Sequence, residues 1–91
     1  MERLSSEEVA QQLDGTEWRL EGETIVRDFE VADFAAAMAF ANRVAEAAEA
    51  AGHHPDILVH GYKRVRLTLS THSAGGLTER DVALARTIDG L

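Results

Sequence analysis

Between Asp33 and Ala51 lies an alanine-rich stretch with a strong helical period, ended sharply by Gly52 and Pro55. Phe34, Ala37, Met38, Ala41, Ala45 and Ala48 recur at helical spacing, and Phe40, Val44 and Ala51 form a second apolar edge about a quarter-turn away. Alanine adds intrinsic helicity, and its small side chain lets a helix lie close to a sheet or to another helix. Asp33 or the residue before it starts the helix. Gly52 suits a C′ position, and Pro55, with no N–H to donate, forbids its resumption. Any fold for this chain must cover that helix. Its apolar surface is wider than one thin sheet covers, so part of it is expected to meet another subunit.

The flanking segments supply the covering layer. Ser5-Ser6-Glu7-Glu8 is a capping box with Ser5 as N-cap and Glu8 at N3, and Leu4 and Val9 stand as a hydrophobic staple. A helix of about two turns follows, with Val9 and Leu13 as its apolar edge and Gly15 as its expected C′ residue. Glu17–Glu21 alternates with Trp18 and Leu20 on one face, Gly22 turns the chain, and Thr24–Phe29 returns with Ile25 and Phe29 on one face. After Pro55, Ile57–His60 reads as a strand and Gly61-Tyr62-Lys63-Arg64 as a turn. Val65, Leu67 and Leu69 then alternate with Arg64, Arg66, Thr68 and Ser70. Ser73–Gly76 reads as loop. Thr78 caps a last helix with Asp81 at N3, Leu77 and Val82 as its staple, and Leu84, Ala85 and Ile88 facing inward. The order is α-β-β-α-β-β-α. It predicts an α+β domain spanning residues 1–91, a four-stranded antiparallel sheet with three helices on one face.

Composition narrows the function. The chain has 91 residues, no cysteine and a net charge of −7. One domain of this size buries a thin core, which again favours self-association. Without cysteine there is neither a disulfide framework nor a thiolate metal site, which suits the cytoplasm. The acidic balance argues against nucleic acid as a partner. Arg64 and Arg66 do not reverse this, since alternation puts them on the wet face of a strand. No apolar run approaches a membrane span, and no signal-peptide pattern opens the chain.

The chemistry concentrates in the histidines. His53 and His54 follow the long helix, and His72 lies on the return of the second hairpin. Histidine is the side chain that changes charge near neutral pH. If the turn centres near Tyr62 and Lys63, position 72 falls opposite 53 or 54, across strands roughly 4.8 Å apart. Pro55 is the weak step in this pairing, because it has no N–H to donate to the ladder. A tandem histidine after a helix also serves as a plain polar cap. His60 reads as an exposed strand residue. Adjacent histidines rarely converge on one ion and no carboxylate pair accompanies them, so no metal is expected.

With these residues assembled, the chain resembles the pterin-4a-carbinolamine dehydratase family. The signature runs Glu49, three residues, His53-His54-Pro55, six residues, Tyr62, nine residues, His72, eight residues, Asp81. Trp18, Ser70-Thr71-His72 and Gly76-Leu77-Thr78 also look like family positions, and the resemblance extends from the first helix to Ile88. It implies dehydration of 4a-hydroxytetrahydropterin to the quinonoid dihydropterin, which recycles the cofactor of aromatic amino acid hydroxylases. The pterin is then the substrate, and no further cofactor is implied. By the resemblance His53 and His72 are the acid–base pair, and His54 holds the pterin and contributes to catalysis. Gly52, Pro55, Ser70, Thr71, Glu49 and Trp18 complete the implied substrate site. Glu49 reads equally as a solvated helix charge, Asp81 first as a helix cap, and Trp18 as core, pocket wall or both. Gly52 stands where many members carry a polar or acidic residue, which removes one contact to His53. The family implies a homodimer or homotetramer and a functional link to a hydroxylase. It also includes a coactivator that stabilises transcription-factor dimers and degenerate members that assist assembly of the carbon-fixing carboxylase. A non-catalytic binding module is therefore the alternative.

Overall fold

Four antiparallel strands, lying side by side in the order first, second, fourth, third along the chain, carry the helices on one face. The structure, a computed structural model, describes residues 2–91. Its elements are α1 (Ser6–Gln12), β1 (Arg19–Glu21), β2 (Thr24–Glu30), α2 (Phe34–Ala51), β3 (Asp56–His60), β4 (Arg64–Leu69), a 3₁₀ turn (His72–Ala74) and α3 (Glu79–Asp89). The expected order and α+β class are therefore found. Both capping boxes form, Ser5 with Glu8 and Thr78 with Asp81. Asp33 is the N-cap of α2, its side chain accepting from the Ala36 amide.

The core follows from the two hydrophobic periods. Ile25 on β2 and Val65, Leu67 and Leu69 on β4 project from the sheet with no exposed surface. They meet Ala37, Phe40, Val44 and Ala48 of α2, Val82, Leu84, Ala85 and Ile88 of α3, and Val9 and Leu13 at α1. Each large side chain buried this way contributes roughly 1.5–3 kcal/mol. The opposite face of the sheet is wet and laced with charge. There Arg66 and Arg19 both donate to Asp28, and Arg64 donates to Glu30.

Several expectations shift in detail. Helix α1 is capped by Leu13, so Gly15 (φ 82°) lies beyond the C′ position. The Leu13 carbonyl takes the Thr16 amide and hydroxyl instead of continuing a helix. Leu20 shares a parity with Trp18 but is more than a third exposed, because β1 is a three-residue edge strand that nothing covers from outside. On α2 the buried seam is Ala37, Phe40, Ala41, Val44 and Ala48. Phe34 and Met38 remain 55% and 42% exposed, and Ala45 and Ala51 are exposed too. His60 is half-buried on the open sheet face, its Nε2 without a hydrogen-bond partner. The second hairpin turns through Gly61-Tyr62-Lys63, with Arg64 already in β4 opposite His60. The loop expected at 73–76 is partly a 3₁₀ turn, closed by the bridge between Thr71 and Gly76.

Candidate functional site

The end of α2 sets the first two imidazoles. Gly52 adopts the left-handed conformation (φ 62°), and the His53 amide reaches back to the Ala48 carbonyl at 3.1 Å. This 6→1 closure is that of a Schellman motif. It turns His53 inward, where it is 7% exposed, and leaves His54 exposed.

His53 meets a carboxylate that the sequence reading treated as a cap. Asp81 at N3 of α3 is fully buried, and its Oδ1 lies 2.5 Å from His53 Nε2. Its Oδ2 accepts from the Thr78 amide at 2.9 Å and the Thr71 hydroxyl at 2.7 Å, and the two threonine hydroxyls lie 2.9 Å apart. Asp81 thus caps α3 and also orients a histidine. With Oδ2 occupied by donors, the carboxylate acts as an acceptor throughout. His53 Nε2 therefore carries the proton, and in the neutral ring Nδ1 keeps the lone pair. This single residue ties together the end of α2, the segment after β4 and the start of α3.

His54 is held from its own helix: its Nε2 pairs with Glu49 Oε2. Both groups are mostly exposed, so the pair orients the ring more than it stabilises the fold. His72 opens the 3₁₀ turn and is exposed. That turn is fixed by the Thr71–Gly76 bridge and by the Gly75 amide donating to the His72 carbonyl at 3.1 Å. The chain's first segment straps it: the Leu4 amide donates to the Leu77 carbonyl at 2.8 Å, and Arg3 Nη1 to the Gly75 carbonyl at 3.2 Å.

The histidines do not meet by hairpin symmetry. The β3–β4 register pairs Asp56 with Thr68 and His60 with Arg64. Extended, it sets 72 across from 52, one position off the expectation, and the ladder ends at Asp56, just after Pro55. The Schellman turn, Asp81 and the 3₁₀ turn bring them together instead. The three imidazoles line one hollow of about 220 Å³ together with Gly52, Ser70, Thr71, Ser73 and Arg80. Glu49 and Pro55, expected at the site, do not line it; Glu49 reaches it only by pairing with His54. Trp18 lies elsewhere, buried with its Nε1 donating to Asp89 Oδ1 at 2.8 Å, beside a separate depression at α1. Ser73 and Arg80 escaped the sequence reading. Arg80 donates to the Gly52 carbonyl and so ties α3 to the end of α2. Its only sequence signal was its place beside Asp81.

A hollow this small, below the roughly 300–1,000 Å³ typical of drug-sized ligands, suits a compact flat ring. Its imidazoles and hydroxyls can donate, accept and exchange protons along that ring's edge. Among the described residues, no three His, Cys, Asp or Glu side chains are grouped to hold a metal ion.

Comparison with known proteins gives these features a family. The family model described as "Pterin 4 alpha carbinolamine dehydratase" matches residues 2–91. A protein of Chloroflexus aurantiacus named "Putative pterin-4-alpha-carbinolamine dehydratase" is 59% identical over 90 residues, covering 98% of this chain and 96% of that protein. One of the same name from Acidobacterium capsulatum is 61% identical over 74 residues, covering 81% and 79%. The crystal structure of a transcriptional coactivator/pterin dehydratase from Brucella melitensis superposes with a TM-score of 0.85 at 38% identity, covering 97% and 96% of the chains. A pterin dehydratase-like protein identified as a RuBisCO assembly factor in the alpha-carboxysome superposes with a TM-score of 0.68 at 28% identity, covering 84% and 89%.

Proposed function

Because the chain belongs to the pterin 4 alpha carbinolamine dehydratase family, we propose that it dehydrates 4a-hydroxytetrahydropterin to the quinonoid dihydropterin. One observation carries this reading: His53, His54 and His72 line a single ring-sized hollow, and the innermost is held by a buried carboxylate. Hydroxide leaves poorly, so the C4a–O bond breaks as an acid protonates the oxygen and the electron pair departs with water. The N5 lone pair forms the C4a=N5 bond, and a base takes the N5 proton. One proton is given and one received, so the protein is unchanged. His53 and His72 exchange these protons, each step worth typically ~10²–10⁴-fold in rate. His54, oriented by Glu49, holds the ring, and Gly52, Ser70 and Thr71 frame it. Trp18 acts through the core. The chemistry is acid–base throughout and calls on no metal or second cofactor. In the cytoplasm the reaction returns the pterin of an aromatic amino acid hydroxylase to its reductase.

The exposed Phe34 and Met38 on α2 and the uncovered edges β1 and β3 support self-association as a homodimer or homotetramer. The likeness to a RuBisCO assembly factor supports a second reading, a binding module on the same fold. The two separate in one assay. A pterin-dependent hydroxylase generates the 4a-adduct, this protein is added, and the adduct's ultraviolet absorbance is followed. Acceleration is expected, with His53→Ala and His72→Ala each at least ~100-fold slower while circular dichroism is retained. No acceleration by the wild type turns the assignment to the binding module, and wild-type rates in both variants remove the histidines from the mechanism.

A further inference from the structure

Two of the three imidazoles are held by carboxylates, His53 by Asp81 and His54 by Glu49. The ring of His72 has no such partner among the described residues, so it stands wherever its 3₁₀ turn places it. Resting on the dehydratase reading above, we propose that Arg3 is a positioning residue for the reaction. Arg3 does not line the hollow of the three imidazoles. It clamps from outside the turn that carries His72, and it acts through that imidazole.

The turn needs an outside clamp because it is short and poorly capped. Thr71 stands at its N-cap without a side-chain bond to it, since the Thr71 hydroxyl is engaged by Asp81 and Thr78. Backbone bonds close the turn: the Ala74 amide to the Thr71 carbonyl at 3.0 Å, and the Gly75 amide to the His72 carbonyl at 3.1 Å. At its far end the Gly75 carbonyl accepts from Arg3 Nη1 at 3.2 Å, and the same nitrogen lies 3.7 Å from Glu23 Oε1. Glu23 sits in the turn between β1 and β2, so Arg3 pins the His72 turn to the first hairpin. Leu4 holds Arg3 in place, its amide bonded to the Leu77 carbonyl at 2.8 Å and its side chain packed on the core.

Gly76 is fitted to this arginine. Gly75 has φ at 71°, but Gly76 lies outside the left-handed region, so φ makes no demand for glycine there. The neighbour makes the demand. A Cβ at 76 would stand 3.1 Å from Arg3 Cδ, 3.8 Å from its Nη1 and 3.9 Å from its Cγ. Carbon atoms rest about 3.5–4.0 Å apart, so a methyl at 76 pushes the arginine away. Arg3 is more than half exposed and can move aside, but it leaves the Gly75 carbonyl when it does. Such a substitution therefore removes the clamp without straining the backbone. A proton-transfer group must stay within about 0.5 Å of its productive position. A loosened turn then slows the step at His72, while the ring is still held by His54 and the other walls of the hollow.

Decay of the hydroxylase-generated adduct is measured against adduct concentration for the wild type, Arg3→Ala, Arg3→Lys, Gly76→Ala and the double variant Arg3→Ala with Gly76→Ala. Amide hydrogen exchange is followed on the same proteins. Arg3→Ala and Gly76→Ala are each expected to lower kcat about 3–10-fold with KM within about 2-fold. Arg3→Lys, which keeps the charge and a donor, recovers most of the rate. The double variant is no slower than Arg3→Ala, because both substitutions remove the same contact. Exchange rises at the Gly75 and Gly76 amides and stays unchanged in β2 and β4, whose protection reports the whole fold. Four results overturn the clamp while leaving the dehydratase reading intact: wild-type kcat in Arg3→Ala, a change confined to KM, single effects that multiply in the double variant, or exchange unmoved at Gly75 and Gly76. Adduct decay no faster with the wild type than without it overturns the dehydratase reading and the catalytic role of Arg3 together.

Discussion

Replacing Asp81 tests the junction on which the site rests. The residue is fully buried and accepts three hydrogen bonds, from His53 Nε2, the Thr78 amide and the Thr71 hydroxyl. In Asp81→Ala the Thr71 hydroxyl keeps its contact with Thr78. The ring N–H of His53 and the Thr78 amide are stranded. Each stranded buried donor costs about 1–3 kcal/mol. Two of them give an expected loss of about 2–6 kcal/mol, against a total stability of roughly 5–14 kcal/mol for a domain of this length. Asp81→Asn keeps the shape. Its oxygen still serves Thr78 and Thr71, so its amide nitrogen faces His53 Nε2. The ring must then accept there and carry its proton on Nδ1. Exchanging a charge-assisted bond for a neutral one costs about 1–2 kcal/mol, a fall in Tm of roughly 4–16 °C. Urea unfolding measures both losses, ¹⁵N NMR of the imidazole reports the tautomer, and adduct decay reports turnover. Asp81→Asn should fold, swap the His53 tautomer and lose most activity. A loss under 1 kcal/mol in Asp81→Ala, or an unswapped tautomer in Asp81→Asn, refutes the reasoning.

Gly52→Ala should cost about 1–2 kcal/mol, since φ is +62° and left-handed backbone disfavours a Cβ. The added methyl itself meets only Arg80 Nη2 at 3.9 Å, so the cost is conformational, and a denaturation midpoint matching the wild type would contradict it. Asp28 is held below its ordinary 3.8 chiefly by hydrogen bonds from Arg66, with Arg19 adding and partial burial opposing. Its contribution is thus present above about pH 3.8 and lost as pH falls through the depressed value. Asp28→Asn should cost about 0.2–1 kcal/mol at pH 7, less in high salt. Its stability curve should meet that of the wild type in acid, and a gap that widens below pH 3.8 reverses the sign argued here. Phe34→Glu with Met38→Glu should lower the sedimentation mass at micromolar concentration while leaving the helical spectrum unchanged. An unaltered mass would show that this stripe joins no subunits.

The fold was legible because its signals are periodic and local. A strict two-residue alternation over 64–69 allows one register against a core. A helical pattern closed by Gly52 and Pro55 allows one length. The details left open are those that depend on neighbours. Leu20 alternates correctly, yet it is exposed because nothing lies beyond a three-residue edge strand. Phe34 and Met38 share the helical pattern of the core residues, and only the width of the sheet decides that they face out.

The site was legible as a set of residue types but not as a geometry, and Asp81 shows why. At N3 after a threonine, an aspartate satisfies every local expectation of a capping box, and it does cap α3. A carboxylate has two oxygens, however, and the cap leaves Oδ1 free to meet a histidine 28 positions away. No local pattern encodes that second bond, because it requires α3 to be packed against the end of α2. The same packing explains how the three imidazoles meet despite the hairpin register: Pro55 stops the ladder, and the buried carboxylate takes over where strand pairing ends. Fold stability and site geometry therefore draw on the same few hydrogen bonds. In a 91-residue domain with so thin a core, a substitution at this junction cannot disturb one without the other. That is why the tautomer of His53, which reads geometry alone, is the more discriminating measurement than either melting temperature or rate.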